Sequence, residues 1–424
     1  MMVRSALTAV LAVGVLGVPS VAQAAARGPV LDPSFGSRGW VVNDYGAGDA
    51  VRDVALQPDG KIVAFGSGYE GRFLLQRHRA DGSPDDTFGI SGVVVTDVDP
   101  ESWEDPISMV LQPGGRILVA GTVSRAGAAH PVLIRYLPDG SVDTSFGTDG
   151  RLFPALGAAT SGARSADLAA QPDGRILLGL SATTGDGSAP PILLRLLPDG
   201  TPDVTFGAGG VARFDLGPRE FDSVTSIAPA PDGGVVVAGQ TGYWGSLPEP
   251  TYDVVVARFT SRGVLDTSFG PGGRVVRDFT GPGGIDDTAG LAVGRDGRIL
   301  QTVRIQQGDT NRKGLLRYLP NGRPDPSLGR GGFTYVAGPV VSPVLRPDGR
   351  ITTTGTIGGD VALARYRPDG TADPHFGRRG VLVTDLGAYD EGTVLKIQPD
   401  GRLLVGGSGG VEGGDAFTLV RYRP

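Results

Sequence analysis

Residues 417–424, F-T-L-V-R-Y-R-P, break off in the middle of a pattern, and residues 31–36, L-D-P-S-F-G, carry the part that is missing. Set beside residues 132–147, V-L-I-R-Y-L-P-D-G-S-V-D-T-S-F-G, the two fragments are halves of one repeat. The complete unit runs as an apolar strand, Q-P-D-G, a second strand ending near glycine, a strand ending R-Y, P-D-G, then D-x-S-F-G and an extended segment. Its closing marker falls at Phe35-Gly36, Phe88-Gly89, Phe146-Gly147, Phe206-Gly207, Phe269-Gly270, Leu328-Gly329 and Phe376-Gly377, with successive gaps of 53, 58, 60, 63, 59 and 48 residues. A period of that size marks a repeat architecture. An open solenoid has no use for a unit split between its ends, whereas a closed ring uses the split to join its first and last units. The expectation is an all-β, seven-bladed β-propeller closed by pairing of its N- and C-terminal segments. Its closing blade takes the outer part from residues 31–43 and the rest from 394–424. Radial closure also leaves many short strands without long exposed edges.

Composition agrees. Glycine is 70 of 424 residues, more than twice the usual share of about 7%, while apolar residues hold at 40%, too many for a disordered glycine-rich chain. The second full unit reads as strands over 107–112, 116–120 and 132–137, with Pro113-Gly114-Gly115 as the turn. P-D-G turns recur at Pro58, Pro172, Pro231, Pro347 and Pro399, where proline presets φ and Asp-Gly tolerates the left-handed positions of a tight hairpin. No stretch has sustained helical periodicity.

The N-terminus reads as a signal peptide over residues 1–24, leaving 25–424 as a single seven-repeat domain. Arg4 precedes an apolar run from Ala6 to Val18, too short to span a bilayer, and Ala22-Gln23-Ala24 supplies small residues for cleavage. There is no cysteine, hence no disulfide framework, thiol chemistry or lipidation at the cleavage site. A secreted, extracellular protein without stable membrane insertion is expected. A ring of about 400 residues buries enough core to manage without disulfides.

A net charge of −6 argues against a nucleic-acid partner. Only Lys61, Lys313 and Lys396 among the 39 basic residues are lysine, and the arginines follow the repeat. Arg77, Arg135, Arg195, Arg258, Arg317 and Arg365 each precede an aspartate by eight residues: Asp85, Asp143, Asp203, Asp266, Asp325 and Asp373. The seventh pair, Arg421 and Asp32, is divided between the ends of the chain. Spacing kept in every unit points to a structural ion pair that fixes a turn.

Catalytic signals are sparse. The three histidines, His78, His130 and His375, sit in three different units and form neither a metal cluster nor a triad by sequence. Gly406 to Gly410 lacks the lysine and helix of a phosphate loop, and no serine occupies a G-x-S-x-G elbow. No catalytic residue and no cofactor is assigned. Counting back eight from the glutamine position of Q-P-D-G gives Asp49, Glu104, Asp222, Asp286 and Asp390, with Ala163 and Gly338 interrupting the series. Such acids, just before the innermost strand, either form a ring of hard oxygen ligands for calcium or cap backbone N–H groups where the chain turns. With no D-x-D-x-D-G loop, capping is favoured.

The units L-D-x-S-F-G-x-x-G, A-L-Q-P-D-G-K-I-V-A and R-Y-x-P-D-G, best kept at Leu31 to Gly39, Val54 to Ala64 and Arg365 to Gly377, resemble the delta-60 repeat of secreted and surface bacterial proteins. The resemblance implies a propeller-like β fold and brings no agreed activity. More distantly, the P-D-G-x-I-x-V rhythm is similar to propellers of the streptogramin-lyase and lactonase type, whose metal-ligand or catalytic histidines have no match here.

What repeats is scaffold, so binding is expected in the loops that vary. In usual propeller topology the P-D-G turns share one face and the irregular loops the other. The longest of these are 97–106, with Trp103, and 240–253, with Tyr243, Trp244 and Tyr252. Aromatic side chains there are candidate anchors for a glycan or protein ligand, or else pack against the neighbouring unit. The function expected is a secreted, non-catalytic binding or scaffolding module; the rival is an extracellular lyase or hydrolase with its site in the funnel at the irregular face. Nothing in the sequence sets the oligomeric state.

Overall fold

The structure, a computed structural model, describes residues 29–424 except 47, 70, 126, 157–159, 185–189, 217–220, 244–250, 388 and 411–414. The signal peptide expected over 1–24 falls outside the described residues. The described chain is all-β, of propeller type, apart from two single 3-10 turns at Pro113–Gly115 and Pro271–Gly273.

Its strands form antiparallel meanders of four, here lettered A to G by their first strands: Ala50–Leu56, Trp103–Leu111, Thr160–Ala170, Phe221–Pro229, Ile285–Val293, Val341–Leu345 and Glu391–Ile397. Meander A continues through Ile62–Gly68, Arg72–His78 and Val93–Thr96. Its second strand, I-V-A-F-G-S-G, is buried along its whole length, since both faces lie against other meanders. This is why the second and third strands read as continuous apolar runs rather than as alternation. A single parallel bridge, Tyr252 to Ile285, joins meanders D and E into one eight-stranded sheet.

Strands run further than their apolar stretches. Those expected at 107–112, 116–120 and 132–137 are Trp103–Leu111, Ile117–Arg125 and Ala128–Tyr136. The extra residues are polar or half-buried, so hydrophobic pattern alone does not reveal them. Every first strand also carries a register shift, at Val51/Asp53 in A and Gly392/Val394 in G, for example. A bulge of this kind leaves one residue unpaired and bends the strand.

Core clusters lie between successive meanders. Val63, Phe65, Met109 and Ile117 belong to the one shared by A and B, and Phe35, Val51, Ile62, Leu404 and Phe417 to the one shared by G and A. The first strand of G lies beside the first strand of A, as every other first strand lies beside the next. Thr393 donates its hydroxyl to the Val51 carbonyl across that junction at 2.5 Å.

The recurring arginine and aspartate form a clamp. In meander C, Arg195 Nε donates to Asp203 Oδ2 at 2.8 Å, Nη2 to Thr205 Oγ1 at 3.2 Å and Nη1 to the carbonyl of Ser261 in meander D at 2.6 Å. The guanidinium lies 4.4 Å from the centre of the Phe206 ring, in cation–π range. The same arrangement joins Arg77 to Asp85 and Arg135 to Asp143. The recurring phenylalanine in turn meets the glycine of a turn in the next unit: at Gly82 of Ala80-Asp81-Gly82, with φ +86°, a Cβ would lie 2.9 Å from the Phe35 ring and from Gly36 N.

The split repeat is completed across the termini. Trp40–Asn43 pairs antiparallel with Phe417–Arg423, with Trp40 opposite Val420, and Val30 opposite Arg423. Arg421 Nε donates to Asp32 Oδ2 at 3.0 Å and its guanidinium lies 4.4 Å from the Phe35 ring centre, reproducing the clamp from residues almost 400 positions apart. His78 is structural: it is fully buried, its Nδ1 lies 3.0 Å from the Gly82 carbonyl, and burial lowers its pKa to about 4.

Candidate ligand-binding groove

The P-D-G turns follow the first strand of each meander, so the other end of that strand borders the irregular loops. At this end a groove of about 650 Å³ opens between meanders G, A and B. Arg52 of meander A, Trp103 and Asp105 of B, and Tyr389, Glu391 and Asp415 of G line it. Trp103 is 69% exposed and Tyr389 64%, so each offers a free aromatic face. Both lean on glycines. The Trp103 Cη2 lies 3.7 Å from where a Cβ of Gly71 would be, and Tyr389 Cδ2 3.5 Å from the corresponding point of Gly359. Arg52 reaches the groove because it is the bulged residue between Val51 and Asp53, and it is exposed along with Glu391 and Asp415. A groove lined by two exposed aromatic rings together with carboxylates and a guanidinium offers apolar faces and polar groups of the kind that meet a sugar ring and its hydroxyls.

Of the aromatics singled out by sequence that are among the described residues, Trp103 alone lines this groove. Tyr243 ends the strand Val235–Tyr243 and is half-buried. Tyr252 is a correction: it belongs to the strand Thr251–Phe259 rather than to a loop, and only 8% of it is exposed. Tyr252 is the second residue of that strand, which is buried at every position but Arg258, so it counts with the core. Trp244 lies outside the described residues. Sequence reading missed Tyr389, Arg52 and Glu391. Tyr389 directly precedes the acid already singled out at Asp390, so its position beside the innermost strand was available as a signal.

The five acids are buried and cap backbone. Asp49 Oδ2 accepts from Tyr45 N–H, and Glu104 Oε1 from the N–H groups of Val98 and Asp99. Asp222 Oδ2 accepts from Leu216 N–H at 2.8 Å, Asp286 Oδ2 from Phe279 N–H at 2.7 Å and Asp390 Oδ2 from Leu386 N–H at 2.8 Å. Each one holds the loop that enters its own meander. Local acids also surround two of them: Asp253, Asp278 and Asp286, and likewise Asp360, Asp385 and Asp390, bring carboxylate oxygens within 4.8 Å of one another. These triads, rather than a ring of five, are the described groups whose donors could hold a cation. Glu104 also borders the groove; its Oε2 is buried without a hydrogen-bond partner, and burial pushes its carboxyl up despite the two N–H bonds.

These environments set a pH dependence. Burial raises the Asp286 carboxyl from 3.8 to about 6, outweighing the Phe279 and Thr280 hydrogen bonds, with Asp278 and Asp253 adding to the rise. Between those values the folded chain holds a proton that the unfolded chain has released, so stability falls as pH rises through this window. The clamp aspartates run the other way. Burial works to raise Asp203 and Asp325, but hydrogen bonds from Thr205 and Ser327 and the adjoining arginines hold both at about 2. Their contribution is full above about 3.9, the unfolded value, and is lost as pH falls through about 2. The melting temperature is expected to peak between these two windows, near pH 4. Asp286→Asn, which keeps an acceptor for Phe279 N–H, should flatten the decline on the alkaline side in a pH series of melting curves. An unchanged decline would count against the assignment.

Six segments, 57–88, 112–146, 171–206, 230–269, 346–376 and 398–424, match the family model described as domain of unknown function (DUF5122) beta-propeller. The chain is a β-propeller repeat protein. The matched segments leave out 270–345, the stretch of the propeller in which Leu328 replaces phenylalanine. No curated protein matches the propeller's sequence. Among solved structures it is similar to a protein of unknown function from Dyadobacter fermentans DSM 18053, at 13% identity and TM-score 0.48, covering 92% of this chain and 99% of that one. It is similar also to the alpha-L-arabinanase of Penicillium chrysogenum, at 12% and 0.47 with 90% and 96% covered, and to Drosophila Semaphorin 2a, at 7% and 0.49 with 90% and 74% covered. No helix among the propeller's described residues is long and apolar enough to cross a membrane.

Proposed function

We propose that the chain is an exported, non-catalytic propeller of the delta-60 kind, closed as a ring of seven blades, that binds an extracellular glycan in the groove between meanders G, A and B. The observation that carries this reading is the pair of exposed rings, Trp103 and Tyr389, lining one groove with Arg52, Asp105 and Glu391. Exposed aromatics held on a rigid sheet give large contact area at low entropic cost. The leader-like residues 1–24 support export. The core shared by G and A and the Arg421–Asp32 clamp support closure.

A glycan array probed with the mature protein tests the reading. Retention on a restricted set of glycans is expected, and no retention on any glycan, with capture of a protein instead, would overturn it. A second reading, a glycoside hydrolase, draws on the unpartnered Glu104 Oε2, whose carboxyl burial pushes up, beside the same groove. Release of reducing ends from the glycans that bind would favour it over simple binding.

A further inference from the structure

We infer a second site on the opposite face: an oxyanion-binding pocket between meanders E and F. At the P-D-G end of these meanders lies a pocket of about 630 Å³ lined by Arg295, Arg298, Arg317 and Arg346 together with Asp296 and Asp348. Three departures from the repeat meet there. Position 328, phenylalanine in the other copies of the marker, is leucine, so Arg317 has no aromatic ring beneath its guanidinium. Arg346 stands where Gln57, Gln112, Gln171 and Gln398 stand elsewhere, and Arg295 where Pro58 stands.

The clamp is altered at the same point. Arg317 keeps Asp325 at 2.8 Å from Nε and Ser327 at 2.8 Å from Nη2. Its Nη1 makes no hydrogen bond to the following meander among the described residues, a bond that Arg135, Arg195 and Arg258 make to the carbonyls of Pro198, Ser261 and Pro320 and that Arg365 also lacks. Arg317 is buried, at 3% exposure, yet it is one of the residues that line the pocket.

Charge in the pocket is not balanced from within. Asp296 is held by Arg298, and Asp348 by Arg350 at 2.7 Å. Arg298 also reaches Asp325 at 3.0 Å. Neither Arg295 nor Arg346 forms an ion pair among the described residues. Arg295 and Arg346 thus add two guanidiniums that no salt bridge holds, Arg346 acting on Asp348 only through its charge, and a planar or tetrahedral oxyanion supplies acceptors in the geometry a guanidinium prefers. The ligand class is therefore a carboxylate- or phosphate-bearing molecule.

Calorimetric titration with inorganic phosphate and, separately, with citrate distinguishes the two sources. Saturable one-to-one binding of at least one probe is expected, weakening as sodium chloride is raised. The double variant Arg295→Pro/Arg346→Gln, which restores residues the other meanders carry, should lose tenfold or more in affinity at an unchanged melting temperature. Leu328→Phe, which returns the ring beneath Arg317, should weaken binding as well. Absence of saturable binding by both probes, or equal binding by the double variant, would overturn the proposal.

Discussion

Removal of residues 25–45 is expected to destroy cooperative unfolding. The deletion strips Trp40–Asn43 from the edge of Phe417–Arg423, removes the fully buried Phe35 and leaves Arg421, only 3% exposed, without Asp32. Loss of one partner of a buried ion pair costs about 3–5 kcal/mol, and loss of a buried phenylalanine side chain about 3–5 kcal/mol more. Together these approach the whole stability of an ordinary domain, about 5–15 kcal/mol. Scanning calorimetry should show a broad transition at much lower temperature. A truncated chain that melts as sharply as the parent, at the same temperature, would contradict closure through the split repeat.

The second large effect is expected at the clamp. Asp203→Ala should cost about 3–5 kcal/mol in urea denaturation, because Arg195 would stay buried beneath meander D with its charge uncompensated. Asp32→Ala should cost as much, although Asp32 and Arg421 come from opposite ends of the chain. By contrast Asp59→Ala, which removes an exposed ion pair to Lys61, should change stability by under about 1 kcal/mol. A loss at Asp32 no larger than that at Asp59 would show that the terminal pair bears no load.

Much of the scaffold was legible because the repeat states it several times over. Eight-residue spacing of Arg135 and Asp143 is a fixed requirement of a strand, a P-D-G turn and a return, and the structure brings the two side chains to 2.8 Å. The split between Arg421 and Asp32 was legible for the same reason. Acids such as Asp222 and Asp390 recur at a fixed offset before a strand, where each carboxylate accepts an N–H of the incoming loop. Strand ends were less legible. Tyr252 looked like loop because the residues before it are rich in glycine and proline, yet the strand already begins at Thr251.

The groove was harder to see, because it draws on three meanders whose residues lie more than 300 positions apart in sequence. Trp103 stood out as an aromatic in an irregular segment, whereas Arg52 reaches the groove only through a bulge that the sequence does not mark. Similarly, Leu328 was visible as a departure from the pattern, but its consequence for Arg317 depends on the missing bond to the next meander and on the arginines gathered around it. Departures from a repeat acquire meaning when the fold brings them to one place, and that placement is a property of register and closure rather than of any single segment.

The central functional claim is that Trp103 and Tyr389 hold a glycan. Its most direct measurement is calorimetric titration of the best-retained glycan into the intact protein and into the Trp103→Ala/Tyr389→Ala variant, with melting curves for both. Both rings are exposed, so the account predicts a loss of about 2 kcal/mol or more in binding free energy with the melting temperature nearly unchanged. Undiminished affinity in the doubly substituted, folded protein would contradict it.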